Sequence, residues 1–202
     1  MNDKWGRNFL GTPPQGRADY AFLQHIIASM NETQGRCAIL FPHGVLFRDE
    51  ELELRKKLVE MDILDCVIGL GANLFYNSPM EACILICNCS KANSKKNQVL
   101  MINAVNEVTR KNAESMLLAE HIQRIVNTYQ QNSELDGFSR IVSIDEIREK
   151  KFNLNISLYA YQSVLQDALT VSKEDAINVW ISSHSQCINK MNELIKLIIV
   201  WV

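Results

Sequence analysis

Four short apolar runs, each closed by a chain-breaking residue or a polar turn, constrain this chain more than any other feature. They are Arg36–Phe41 (RCAILF), Leu64–Leu70 (LDCVIGL), Cys83–Cys87 (CILIC) and Val99–Ile102. Each is too short for a core helix and rich in Ile, Leu, Val and Cys. That pattern predicts strands buried on both faces, as in parallel sheets. Asp49, Glu50, Glu51 and Glu53 precede Arg55, Lys56 and Lys57 between the first two runs, a charge order that suits a helix dipole, with Leu54, Leu58 and Met61 on its inner face. Strand, helix and strand in this order predict a right-handed parallel crossover.

Around this nucleus the other segments fall into place. Residues 1–17 read as loop, because Gly6, Gly11, Pro13, Pro14 and Gly16 break any period. Asp19 is expected to cap a helix over 19–31 whose apolar face is Phe22, Leu23, Ile26, Ile27 and Met30. The polar turn KANSKKNQ (91–98) can join the third and fourth strands as a hairpin. A helix is expected over Glu114–Tyr129, a turn at Asp136-Gly137, a strand over Phe138–Ile144, a short helix over Asp145–Lys151 and an extended segment over 152–159. From Lys173 onward Ile177, Ile181, His184, Ile188, Met191, Ile195, Ile198 and Val202 follow steps of four and three, a heptad seam in one long helix. Its apolar end, LIIVWV, calls for a packed partner.

Charge narrows the classes of function. A formal net charge of -2 over 202 residues gives no overall basic face. Phosphate neutralisation supplies most of the affinity for duplex DNA, so DNA held by this chain must be gripped largely by something else. The six cysteines are scattered, mostly in apolar runs, and read as buried free thiols of a reducing cytoplasm. No apolar run approaches the length of a membrane span and no signal peptide opens the chain, so a cytoplasmic location is expected.

Several motifs stand where chemistry is possible. TPPQ (12–15) superficially resembles the tetrapeptide of amino-methyltransferases, but Gln15 cannot stack on a base as an aromatic ring does, so it reads as an ordinary loop. FPHG (41–44) lies past a strand; the carboxyl ends of strands in open parallel sheets line the ligand crevice, so Pro42 and His43 either border a site or form a tight turn. No carboxylate partner for His43 can be identified from sequence. NLFYNSP (73–79) puts Phe75 and Tyr76 in a polar loop, where they stack on a base or close over the core. KANSKKNQ and REKK (148–151) are solvated turns or phosphate contacts. Gly69-Leu70-Gly71 is only a fragment of a glycine-rich cofactor pattern.

Five blocks in order, RADYAFLQHII, GRCAILFPHGVLF, ELRKKLVEMDILDCVIGLGANLFYNSPMEACILI, VLMINA and FNLNISLY, resemble the modification subunit of type I restriction systems, an N6-adenine DNA methyltransferase family, over about residues 5–160. The resemblance implies an α/β fold: the second half of a Rossmann-like S-adenosylmethionine-dependent methyltransferase sheet, followed by a helical C-terminal arm. It implies residues 1–160 as the C-terminal part of the methyltransferase domain and 161–202 as an assembly arm. The family's glycine-rich cofactor motif and its Asn-Pro-Pro-Phe motif normally precede the ADYAFLQHI helix. Neither is found here, so the chain is expected to begin after them and not to bind S-adenosylmethionine alone. By position, Phe75, then Tyr76, would meet a flipped adenine, with Pro42 and His43 beside it. The implied partners are the specificity subunit, which reads the DNA sequence, and a second modification subunit. A non-catalytic assembly module and an inactive remnant are the rival readings.

Overall fold

In the computed structural model the described residues are 3–75, 78–111 and 114–161, all within one compact unit, Met1–Tyr161. The elements run α1 (Asp19–Ala28), β1 (Arg36–Pro42), α2 (Leu52–Glu60), β2 (Leu64–Leu70), β3 (Ala82–Asn88), β4 (Gln98–Ala104), β5 (Thr109–Lys111), β6 (Glu114–Met116), α3 (Ala119–Gln131), β7 (Ser139–Ser143) and α4 (Ile144–Glu149). Five strands form one mixed sheet in the order β1-β3-β2-β4-β7, and β5 and β6 form a separate hairpin. The heptad seam expected beyond residue 161 lies outside the described residues.

Alternation along the strands sorts their side chains onto two apolar layers. On one face Ile39, Phe41, Val67, Leu85, Val99, Met101 and Val142 pack with Leu23 and Ile27 of α1, Leu54 and Leu58 of α2, and Ile144 and Ile147 of α4. On the other, Cys66, Ile68, Leu70, Leu100, Ile102 and Ala104 pack with Ile125 of α3 and with Phe138. Strict alternation would put Leu64 beside Cys66. A register shift between them turns Leu64 onto the first layer instead. All seven residues of β2 are buried, as its sequence predicts.

The sheet departs from the expected parallel arrangement: only β2 pairs with β4 in parallel, while β7 is antiparallel to β4 and the insertion of β3 has the widest consequences. β3 lies between β1 and β2 and is antiparallel to both. β1 and β2 therefore run the same way but do not touch, and the strand-helix-strand unit skips a strand. β3 and β4 do not form a hairpin either, because β2 separates them and pairs with β4 in parallel. β1 is an edge strand among the described residues. Only its Ile39 and Phe41 face is fully covered, and Leu40 on the other side is 49% exposed. An apolar run alone does not distinguish such a strand from a central one.

The helices correct other expectations. Asp19 is the first helical residue, not the cap, and its carboxylate accepts a hydrogen bond from Arg48 at 2.9 Å. Phe22 is 63% exposed, while Tyr20 and Gln24 take the inner face. Gln24 is buried because its amide answers the loop before it: it accepts from Leu10 N at 2.7 Å and donates to Gly11 O at 3.1 Å. On α2, Met61 is exposed and Arg55 is buried in its place. Residues 114–116, expected to open a helix, pair with 109–111 as β6. α3 starts at Ala119, where His121 Nδ1 accepts from Leu118 N at 3.2 Å, and ends at Asn132 in the left-handed region (φ 49°). Ser143 caps α4, accepting from Glu146 N at 3.1 Å.

Arg55 ties the turn after β1 to the segment after α4. It is 1% exposed, donates Nε–H to Phe152 O at 2.6 Å, and uses Nη1 toward Arg48 O at 3.0 Å and Val45 O at 3.4 Å. Tyr20 also donates to Val45 O, at 3.2 Å. Truncating Arg55 strands these carbonyls. Arg55→Met is expected to cost about 3 kcal/mol, on the scale of lost buried charge-assisted bonds. A shift in urea midpoint measures it, and an unchanged midpoint would show that Arg55 is dispensable.

Candidate functional site

β1, β2 and β4 point their carboxyl ends the same way, and β3 starts at that edge. The pairing Pro42↔Ala82 brings the residues just outside each strand face to face. His43 N–H extends the ladder by donating to Glu81 O at 3.2 Å, and His43 Nδ1 lies 3.3 Å from Glu81 Oε2. Phe47 meets the imidazole edge-on, with ring centres 5.7 Å apart. His43 Nε2 is buried and has no hydrogen-bond partner among the described residues. Burial holds the His43 pKa below the ordinary value, and the Glu81 carboxylate opposes that shift.

Glu81 stands between two clefts. The smaller, about 210 Å³, is lined by Leu40, Phe41, Pro42, Phe75, Met80 and Ala82, with Ser78 and Glu81 at its polar margin. It is mostly apolar and smaller than sites for drug-sized ligands, a size suited to one planar ring system. The larger, about 430 Å³, is lined by His43, Phe47, Glu81, Asn103, Asn155 and Ser157, among others. Of the residues singled out from sequence, Pro42 and Phe75 thus share a cleft, and His43 lines the neighbouring one. Tyr76 lies outside the described residues.

Phe75 is anchored through its backbone. Asn73 adopts φ 59°, Phe75 and Ser78 form an isolated bridge, and Ser78 N donates to Phe75 O at 3.1 Å. The ring stays 37% exposed, so closing over the core accounts for only part of its surface. Glu81 is the carboxylate partner that sequence reasoning did not find for His43. Only the antiparallel register of β1 with β3 reveals it. Leu40 and Met80 were missed for the same reason.

The other motifs resolve as structure. Lys91 in KANSKKNQ is buried and donates to Asp62 at 2.6 Å, Gln98 O at 2.8 Å and Leu64 O at 3.1 Å, so it is a core strut and not a phosphate contact. In REKK, Arg148 pairs with Asp145, and Lys150 donates to Glu146 Oε1 at 3.0 Å and Leu158 O at 2.9 Å. Residues 12–15 are loop, with Pro14 O accepting from Arg17 N at 3.1 Å. Cys66, Cys83 and Cys87 are buried thiols, and burial pushes Cys83 up to about 12. No group of three or more candidate metal ligands occurs among the described residues.

The profile of the N-6 DNA methylase family matches residues 1–168. The chain belongs to that family. It is 36% identical over 165 residues to the type I restriction enzyme MjaVIII methylase subunit of Methanocaldococcus jannaschii, which covers 79% of this chain and 28% of the relative. It is 34% identical over 171 residues to the MjaVII methylase subunit of the same organism, covering 81% and 29%. The chain thus spans under a third of the length of these relatives. The crystal structure of a type I restriction-modification methyltransferase subunit from Streptococcus thermophilus matches with a TM-score of 0.72 and 35% identity, over 79% of this chain and 34% of that one. The EcoKI M protein shares the fold alone, with a TM-score of 0.56, 19% identity and coverage of 75% and 39%. The resemblance read from the five blocks is borne out, and the α/β class with it.

S-adenosylmethionine is the methyl donor expected for this family, and the Gly69-Leu70-Gly71 fragment does not form a cradle for it. A donor cradle needs glycines whose missing side chains leave room for the ligand. Here the chain itself fills that room: a Cβ on Gly69 would lie 2.7 Å from Ile156 Cδ1, and one on Gly71 would lie 2.5 Å from Val105 O. No described strand passes through a glycine-rich loop directly into a helix.

Because burial lowers the His43 pKa in the folded state, its neutral form contributes stability that is complete above about pH 6.5 and is lost as the pH falls below that value. His43→Gln is therefore expected to lose less stability than the parent between pH 7 and pH 5. Urea midpoints at the two pH values test this, and equal losses would refute it.

Proposed function

We propose that residues 1–160 form the target-base side of an N6-adenine DNA methyltransferase working in a type I restriction-modification complex. Phe75 stacks on the extruded adenine, and Tyr76 assists. Pro42 forms the opposite wall, and His43 with Glu81 braces that wall. The observation that carries this reading is the shared 210 Å³ cleft of Pro42 and Phe75 at the carboxyl edge of the sheet, in a chain of the N-6 DNA methylase family. An apolar slot with one partly exposed aromatic ring suits a flat heterocycle taken out of a duplex.

In this reading the sheet is the second half of a Rossmann-like methyltransferase sheet, and S-adenosylmethionine serves the whole protein from residues outside the described set. The donor supplies the methyl group; the residues here bind and orient the acceptor base and keep water away from it. Residues 161–202 serve as a helical assembly arm, on the strength of the heptad seam. The partners are the specificity subunit and a second modification subunit, and DNA is met through the complex. The location is cytoplasmic, in keeping with the lack, among the described residues, of any helix long and apolar enough to cross a membrane.

Two measurements test the reading. In the assembled methyltransferase, Phe75→Ala is expected to lower methyl transfer about tenfold to a hundredfold, the worth of one base–aromatic stack, with Phe75→Tyr close to the parent. Equal rates for Phe75→Ala and the parent would remove Phe75 from the base site. Titration calorimetry of S-adenosylmethionine into the 202-residue chain is expected to give no binding heat. A clear stoichiometric isotherm would overturn the division of the site.

A further inference from the structure

The β5–β6 hairpin stands at the same edge of the sheet as the Phe75 loop. It follows β4, whose parallel neighbour β2 leads into that loop. The two segments are bound to each other: Ser115 N donates to Asn73 O at 3.0 Å. Beside that bond, a Cβ on Gly71 would meet Val105 O at 2.5 Å and Val108 Cγ1 at 3.0 Å, so the backbones are in close contact. The hairpin is therefore positioned by the same residues that position the candidate base slot.

Its outer strand is polar and cationic. Thr109, Arg110 and Lys111 are all exposed, with Arg110 opposite Ser115 and Lys111 opposite Glu114 in the pairing register. Most of the arginines elsewhere are engaged: Arg17 with Glu50, Arg48 with Asp19, Arg124 with Glu107, Arg140 with Glu146 and Arg148 with Asp145. Arg110 and Lys111 have no ion pair among the described residues. The nearby carboxylate of Glu107 is already taken by Arg124 at 2.6 Å. Lys56 and Lys57 are also neighbouring cations with no ion pair among the described residues; what sets Arg110 and Lys111 apart is that their hairpin is bonded to the Phe75 loop through Ser115 and Asn73.

We propose that this hairpin grips the phosphate backbone of duplex DNA next to the extruded base, through Arg110 and Lys111. Phosphate contacts fix register without reading sequence, and an exposed two-stranded ribbon with cationic side chains is suited to that task. This rests on the base-side reading of the Phe75 cleft and adds to it the surface that holds the flanking strand. A grip of only two cations also accommodates the low overall charge, since most of the affinity then comes from other subunits.

The test is fluorescence anisotropy of a labelled duplex of unrelated sequence with the 202-residue chain, over a series of salt concentrations. The variants are Arg110→Ala, Arg110→Glu with Lys111→Glu, and Arg148→Ala. The last is a control, because α4 starts from the opposite edge of the sheet, where Ser143 pairs with Gln98. Binding of the parent is expected to weaken with salt. Each released phosphate contact should flatten the slope of log K against log salt by about 0.9, so the single variant loses about 1 and the double about 2. Arg148→Ala should match the parent. No salt-dependent binding by the parent, the same slope for parent and double variant, or an equal effect of Arg148→Ala each overturns the hairpin proposal. Unfolding midpoints of the variants separate a lost contact from a lost fold. Methyl transfer by Phe75→Ala is read independently, so failure here leaves the base slot standing and failure there leaves the phosphate grip measurable.

Discussion

A buried guanidinium holds the described unit in register. Burying a guanidinium such as that of Arg55 costs several kcal/mol unless acceptors surround it. Phe152 O, Arg48 O and Val45 O provide them. They come from the turn after β1 and from the segment after α4, which meet again where Leu154 N donates to Leu46 O at 2.9 Å. The turn that carries His43 is thus clamped from below by α2 and from the side by residues about a hundred positions later. Glu51 shares this interior: it is fully buried, and its pKa is raised by burial against the opposing pull of Arg48 and Arg55.

That clamp matters because the candidate site is made of segments with no local stability of their own. Pro42 and His43 belong to a turn, Phe75 to a loop and Glu81 to a strand approach. They converge because β3 enters the sheet between β1 and β2 and runs opposite to both. A parallel strand in that place would start at the far edge and carry Glu81 away from His43. One antiparallel insertion therefore creates both clefts and puts a carboxylate between them. The close backbone contact at Gly71 then seats the Phe75 loop against the segment after β4, which links the base slot to the cationic hairpin.

Much of this was legible in the residues. Apolar runs mark β2, β3 and β4 within a residue or two, and the acidic-then-basic order marks the direction of α2. The FPHG and NLFY motifs stand out as breaks after strands, and their placement at one edge follows from the α/β reading. What misled is equally specific. RCAILF reads as buried on both faces, yet among the described residues β1 has one neighbour, β3, and leaves Leu40 half exposed, because composition reports hydrophobicity and not how many neighbours a strand has. Residues 114–116 suit a helix by propensity, yet pairing with 109–111 and the bond to Asn73 take them. Lys91 reads as a solvated turn residue, yet three oxygen acceptors draw its ammonium inside.

The sequence by itself determined the family, the α/β class and the two motifs that flank the smaller cleft, because periodicity, chain breakers and the order of blocks are local properties of the chain. Only the tertiary structure decided which strands are neighbours, that Glu81 answers His43, and that Arg110 and Lys111 stand beside the Phe75 loop. Those are relations between residues far apart in the chain. They are set by strand order and by the burial of Arg55, and no local pattern encodes them.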